Sequence, residues 1–132
     1  MTPPRPSSGL TTKSSDSTRQ AWSPPPVLLE AAAGDDTIIA RLIDAFGKET
    51  DARIEQMRRA LAASNLPRIR TEAHSIKGCA RQMGAEEVGE ACQDLENACG
   101  LQEASLIAAR LNRVQELCDE IRRAMAAYSA PR

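Results

Sequence analysis

Four stretches of this chain repeat apolar side chains at steps of three and four, the spacing that lines one face of an α-helix. Between residues 36 and 64, Ile39, Ile43, Phe46, Ile54, Met57 and Leu61 draw one stripe. Residues 67–83 carry Ile69, Ala73, Ile76, Ala80 and Met83, and residues 85–99 carry Val88, Cys92, Leu95 and Cys99. The last stretch is the most regular. Ile107, Leu111, Val114, Cys118, Ile121, Met125 and Tyr128 alternate steps of four and three, the seam of antiparallel bundle packing.

Helix-end chemistry divides these stretches at sensible places. Asp35 or Asp36 is placed to accept from the free amides of the first long helix. Asn65 and Pro67 end that helix and begin the next, because proline breaks a helix interior yet is tolerated in a first turn. Gly84 and Gly100 are expected to close the second and third long helices, and Glu86 and Glu87 sit where the third opens and its dipole favours anions. Ahead of them, PPPVLLEAAAGDD predicts a short helix opened by its prolines and closed by Gly34. The expected fold is all-α: an antiparallel up-down-up-down four-helix bundle with a short N-terminal cap helix.

Composition narrows the picture further. Residues 1–25 are dominated by Pro, Ser and Thr with no apolar period, which predicts a flexible leader before a single domain over residues 26–130. No stretch has the apolar core of a signal peptide or the roughly 20 apolar residues that span a bilayer, so a cytoplasmic protein without a membrane partner is expected. A net charge of −1 supplies no general attraction to nucleic acid, and 2% aromatic residues leave almost nothing on which to stack bases. Cys79, Cys92, Cys99 and Cys118 form no CxxC pair and are expected to pack as small hydrophobes.

The one histidine lies in "EAHSIKGCARQMGA", residues 72–85. At about 100° per residue, with Ile69 at zero, His74 falls near about 140° and Gly78 near about 180°, away from the buried row. Arg70, Lys77 and Arg81 fall near about 100°, 80° and 120°, so a basic face is expected around the imidazole. A side chain at position 78 would crowd the ring, since residues four apart are neighbours on a helix. Glycine costs a helix interior about 0.5–1 kcal/mol relative to alanine, and open access to the ring is a reason to carry that cost. Cations there favour a transient dianion such as phosphate on a neutral, nucleophilic ring.

"HSIKG", the Met83-Gly84-Ala85 helix end and "DLE" at Asp94 to Glu96 resemble the signature of the histidine-containing phosphotransfer (HPt) domain. The likeness runs from about Pro26 to Tyr128 and includes "IDAFGKE". It implies a carrier that accepts a phosphoryl group from one receiver-domain aspartate and passes it to another. His74 would be phosphorylated, through Nε2, with Lys77 stabilising the phosphoryl oxygens and Gly78 keeping the approach clear. Magnesium would belong to the receiver, so no cofactor or metal is expected in this chain, and nothing resembles a nucleotide-binding motif of a kinase. Partners would be receiver domains of response regulators or a hybrid sensor histidine kinase, met by a monomer.

Arg70, Arg81 and Gln82 are the candidate phosphate or partner contacts. Arg81 stands where family members usually have a small residue; it could touch phosphate or restrict which receivers dock, and the first is the expectation. Ile38 and Leu42 could line the docking surface, although core membership is the stronger reading. The acidic third long helix, with Glu86, Glu87, Glu90, Asp94 and Glu96, reads as a solvated face or a complement to the basic second.

Two other classes compete. A helical adapter that binds receivers or kinases without phosphorylation would have no need to keep His74, Lys77 and Gly78 together. A metal site in the bundle would need ligands directed inward, whereas His74 is placed outward and Glu72 is at the wrong spacing.

Overall fold

The structure is a computed structural model that describes residues 22–129. Residues 1–21 of the expected leader, and the expected domain end at residue 130, lie outside the described residues. Five helices follow in order: α1 (Pro26–Ala32), α2 (Asp36–Ala62), α3 (Leu66–Gln82), α4 (Glu86–Leu101) and α5 (Ala104–Ser129). There is no strand among the described residues. Each long helix packs on the next and α5 closes against α2, while α1 packs on α2, giving the expected up-down-up-down bundle with a cap helix.

The caps explain the boundaries. Asp35 accepts from the backbone N–H of Thr37 at 2.9 Å, and Asn65 accepts from that of Arg68 at 3.2 Å. Gly84 ends the α3 turn at φ +75°, a region glycine occupies without a Cβ penalty. α4 does not stop at Gly100 as expected. It runs one residue further, and Gln102 takes the left-handed position at φ 60°, donating its N–H to Ala98 O at 3.2 Å and Cys99 O at 3.1 Å.

The predicted stripes form the core. Met57, Ile69, Ala73, Ile76, Ala80, Cys92, Leu95, Leu111, Val114 and Met125 are completely buried. Burying each large aliphatic side chain contributes about 1.5–3 kcal/mol. Thr50 bridges the gap in the α2 stripe between Phe46 and Ile54; it is buried, and its hydroxyl donates to Phe46 O at 2.9 Å. All four cysteines are free, and burial pushes the Cys92 and Cys118 thiols up to about 12.

Trp22 belongs to the bundle, although composition places it in the leader. Its indole N–H donates to Met83 O at 2.8 Å, and its ring meets Tyr128 edge-on with centroids 5.5 Å apart. The segment from Trp22 to Pro25 thus straps the α3 end to the α5 end, and Pro25 lies against Gly84.

A carboxylate that the apolar pattern does not reveal ties α2 to α3. Glu72 is buried and accepts from Arg53 at 2.8 Å and from Arg68 at 2.7 Å. Burial alone would raise its pKa, but the two guanidinium groups overcome that and hold it below the ordinary value.

Candidate functional site

α3 and α4 run antiparallel in a register that sets residue 74 beside 96, 77 beside 93 and 81 beside 89. His74 is on the outer edge of this seam with its side chain 71% exposed. The core row of Ile69, Ala73, Ile76 and Ala80 is entirely buried on the other side of α3, which fixes the face on which the ring stands. A Cβ built at Gly78 would meet nothing within 4 Å, so the space over the helix one turn beyond the ring is open.

An anion lies beside the ring. His74 Nδ1 lies 3.6 Å from Glu96 Oε2, beyond hydrogen-bond length but within electrostatic reach. That contact engages Nδ1 and leaves the other ring nitrogen, Nε2, without an ion pair among the described residues. Glu96 is not a solvated acid; its side chain is 16% exposed.

The expected basic face is corrected at Lys77. Its side chain is only 12% exposed, with Nζ 2.9 Å from Glu96 Oε2 and donating to Gln93 Oε1 at 2.7 Å. Position on the wheel puts Lys77 at the edge of the exposed face, but the α4 carboxylate and amide draw its ammonium into the seam. His74, Lys77 and Glu96 therefore form one cluster. Gln93, which supports Lys77, is the residue that sequence reasoning missed, while Glu96 bears out the reading of the acidic helix as a complement to the basic one.

Arg70, Arg81 and Gln82 are exposed, and among the described residues none of their side chains has a hydrogen bond or ion pair. Arg81 leans toward α4: a Cβ at Gly89 would lie 3.2 Å from its Nε and 3.3 Å from its Cγ. Ile38 is exposed, so the expectation of core membership fails there, whereas Leu42 is half-buried against the core. A cleft of 370 Å³ beneath Trp22, lined by Val88, Leu117 and Ile121, shares no residue with this seam. Among the described residues no three His, Cys, Asp or Glu side chains group as a metal site, and no helix is long and apolar enough to cross a membrane.

An exposed imidazole on a helical bundle, with a lysine and a carboxylate beside it, is an arrangement suited to a group carrier. Residues 41–127 match the Hpt domain family. The structure of histidine-containing phosphotransfer protein B (HptB) from Pseudomonas aeruginosa PAO1 aligns with a TM-score of 0.71 and 22% sequence identity, covering 83% of this chain and 96% of that one. That likeness is one of fold. No match was found among curated proteins. The chain belongs to the Hpt domain family, the histidine phosphotransfer proteins of phosphorelays, which exchange phosphoryl groups with receiver domains and kinases.

Proposed function

We propose that His74 is the residue that carries the phosphoryl group and that Nε2 is the atom that bears it. The observation that carries this reading is the 71% exposed ring beside the open position at Gly78, with Glu96 on the Nδ1 side. A neutral ring with its proton on Nδ1 directs its lone pair outward from Nε2. In the forward step that pair forms the N–P bond as the P–O bond of a receiver's aspartyl phosphate breaks, and the bonding pair stays on the aspartate carboxylate. The ring retains its Nδ1 proton and becomes cationic, 3.6 Å from Glu96. Transfer to a second receiver's aspartate reverses the same changes.

Lys77 rests on Glu96 and Gln93, close enough to be drawn to a phosphoryl group on Nε2 and to balance part of its charge. Gly78 leaves room for the receiver's loops. Arg70 and Gln82 serve as outer contacts with the partner. Magnesium is supplied by the receiver, which polarises the phosphoryl group; this chain carries no cofactor, has no kinase activity of its own, and works as a cytoplasmic monomer.

Phosphoramidate, a small phosphodonor, and a phosphorylated receiver domain test the assignment together. Both are expected to label the wild type and neither the His74→Gln variant. A wild type that takes no label from either donor while still binding receivers would replace this reading with that of an adapter.

A further inference from the structure

We propose that Arg81 determines receiver specificity: seated on Gly89, it pairs with a carboxylate of the docking receiver and does not contact the phosphoryl group. This rests on the assignment of His74 as the phosphorylated residue.

Three observations converge on Arg81. Its stem crosses to α4 and fills the space where Gly89 lacks a side chain, with Cγ and Nε 3.3 and 3.2 Å from where a Cβ would be. Gly89 is buried in a helix interior, a position that alanine would ordinarily favour by about 0.5–1 kcal/mol. The missing methyl group is what lets the arginine lie down there. Secondly, the Arg81 side chain is exposed and, like that of Arg70, has no ion pair among the described residues, so its charge is open to a partner.

Thirdly, Arg81 shares the outward face of His74 but stands seven residues further on, about 10 Å along the helix axis at 1.5 Å per residue. Its Cγ, Cδ and Nε lie against Gly89 of α4, so the stem runs sideways and not back along α3 toward His74. A receiver large enough to cover His74 and the open position at Gly78 would also cover Arg81. The α4 surface around it is acidic, with Glu86, Glu87, Glu90 and Asp94 exposed. A receiver carboxylate meets attraction at Arg81 and repulsion on that neighbouring surface, which selects partners and fixes their orientation.

The test compares the full chain with Arg81→Ala, Arg81→Lys and Gly89→Ala, using phosphoramidate and purified receiver domains from the source organism. Arg81→Ala should lower kcat/KM with the preferred receiver by about two- to five-fold, the range open to an exposed charge pair. The loss should fall mainly on KM and shrink as salt rises. Arg81→Lys should recover part of it. Gly89→Ala, which keeps the charge but disturbs its seat, should slow transfer while thermal stability holds or rises.

Labelling by phosphoramidate should be unchanged in all three variants. Unaltered kinetics with every receiver, an equal loss with all of them, faster transfer by Arg81→Ala to the preferred receiver, or an equal loss with phosphoramidate would each overturn the proposal. A wild type that no donor labels would instead bring down the His74 assignment, and this inference with it.

Discussion

Lys77 and Glu96 meet across the α3–α4 seam, Nζ to Oε2 at 2.9 Å, and the same carboxylate oxygen lies 3.6 Å from His74 Nδ1. One anion thus draws the cation toward the ring and faces Nδ1, the nitrogen opposite in role to the proposed phosphoryl carrier. Glu96→Gln keeps the size of the side chain but removes the charge that answers both groups. It should slow phosphoramidate labelling of His74 by about ten-fold, the equivalent of one charge-assisted hydrogen bond at the low end of its range. Labelling rates at equal donor concentration check this, and an unchanged rate would restrict Glu96 to a packing role.

Gly78 separates stability from function. A Cβ there meets nothing within 4 Å, so Gly78→Ala should stabilise the fold by about 0.5–1 kcal/mol through helix propensity alone. Gly78→Leu places a branched side chain in the open space over which a receiver is proposed to approach. It should retain stability yet reduce transfer from a phosphorylated receiver by about a hundred-fold, the scale of a small misplacement at a reacting centre. Urea denaturation paired with transfer kinetics gives both signs in one preparation.

The core and the placement of His74 are legible because both follow from one helix at a time. A period of 3.6 sorts Ile69, Ala73, Ile76 and Ala80 inward and His74 outward, whatever the other helices do. The fate of Lys77 is not legible in this way. It depends on the register that brings Gln93 and Glu96 opposite, which no single helix specifies. The role of Trp22 is hidden for a similar reason: its hydrogen-bond partner, Met83, is 61 residues away and its own neighbourhood has no apolar period. Glu72 looks like any charged residue on the flank of a stripe until α2 supplies Arg53. The missed end of α4 reflects a local competition, since Gln102 adopted the left-handed turn that Gly100 could also have taken.

The strap at the end of the bundle should be separable from the phosphotransfer site. Trp22→Phe removes the hydrogen bond to Met83 O and should cost about 1 kcal/mol. Trp22→Ala also removes the ring from its contact with Tyr128 and should cost about 2–4 kcal/mol, toward the range for large aromatic truncations. Gly84→Ala should be destabilising by about 1–3 kcal/mol, because the residue has φ +75° and a Cβ would lie 2.9 Å from Pro25 Cγ. Trp22 is the only tryptophan in the chain, so its fluorescence reports detachment of the strap directly.

Thiol chemistry should follow burial. Cys92 and Cys118 are buried with thiols pushed up to about 12, and Cys99 is buried with its thiol pushed up as well, while Cys79 is half-buried. An aromatic disulfide reagent at pH 8 should therefore modify Cys79 first in the native protein and reach the others only at the rate of unfolding. Rapid modification of Cys92 or Cys118 in the folded state would contradict this packing.

Glu72 gives the fold a defined acid sensitivity. Its folded pKa is lowered from the ordinary 4.5, despite the opposing effect of burial, by hydrogen bonds from Arg68 and Arg53. A carboxylate with a depressed folded pKa contributes stability above its unfolded pKa, and that contribution fades as pH falls from about 4.5 through the lowered folded value. Glu72→Gln cannot titrate, so it should be less stable than wild type at pH 7 by about 1–3 kcal/mol, discounted for the partial solvation of both arginines. The difference should narrow below pH 4.5, where wild type itself loses the charge. Urea midpoints at neutral and acid pH check the sign, and a gap that widens in acid would mean that Glu72 is not held ionised by its two arginines.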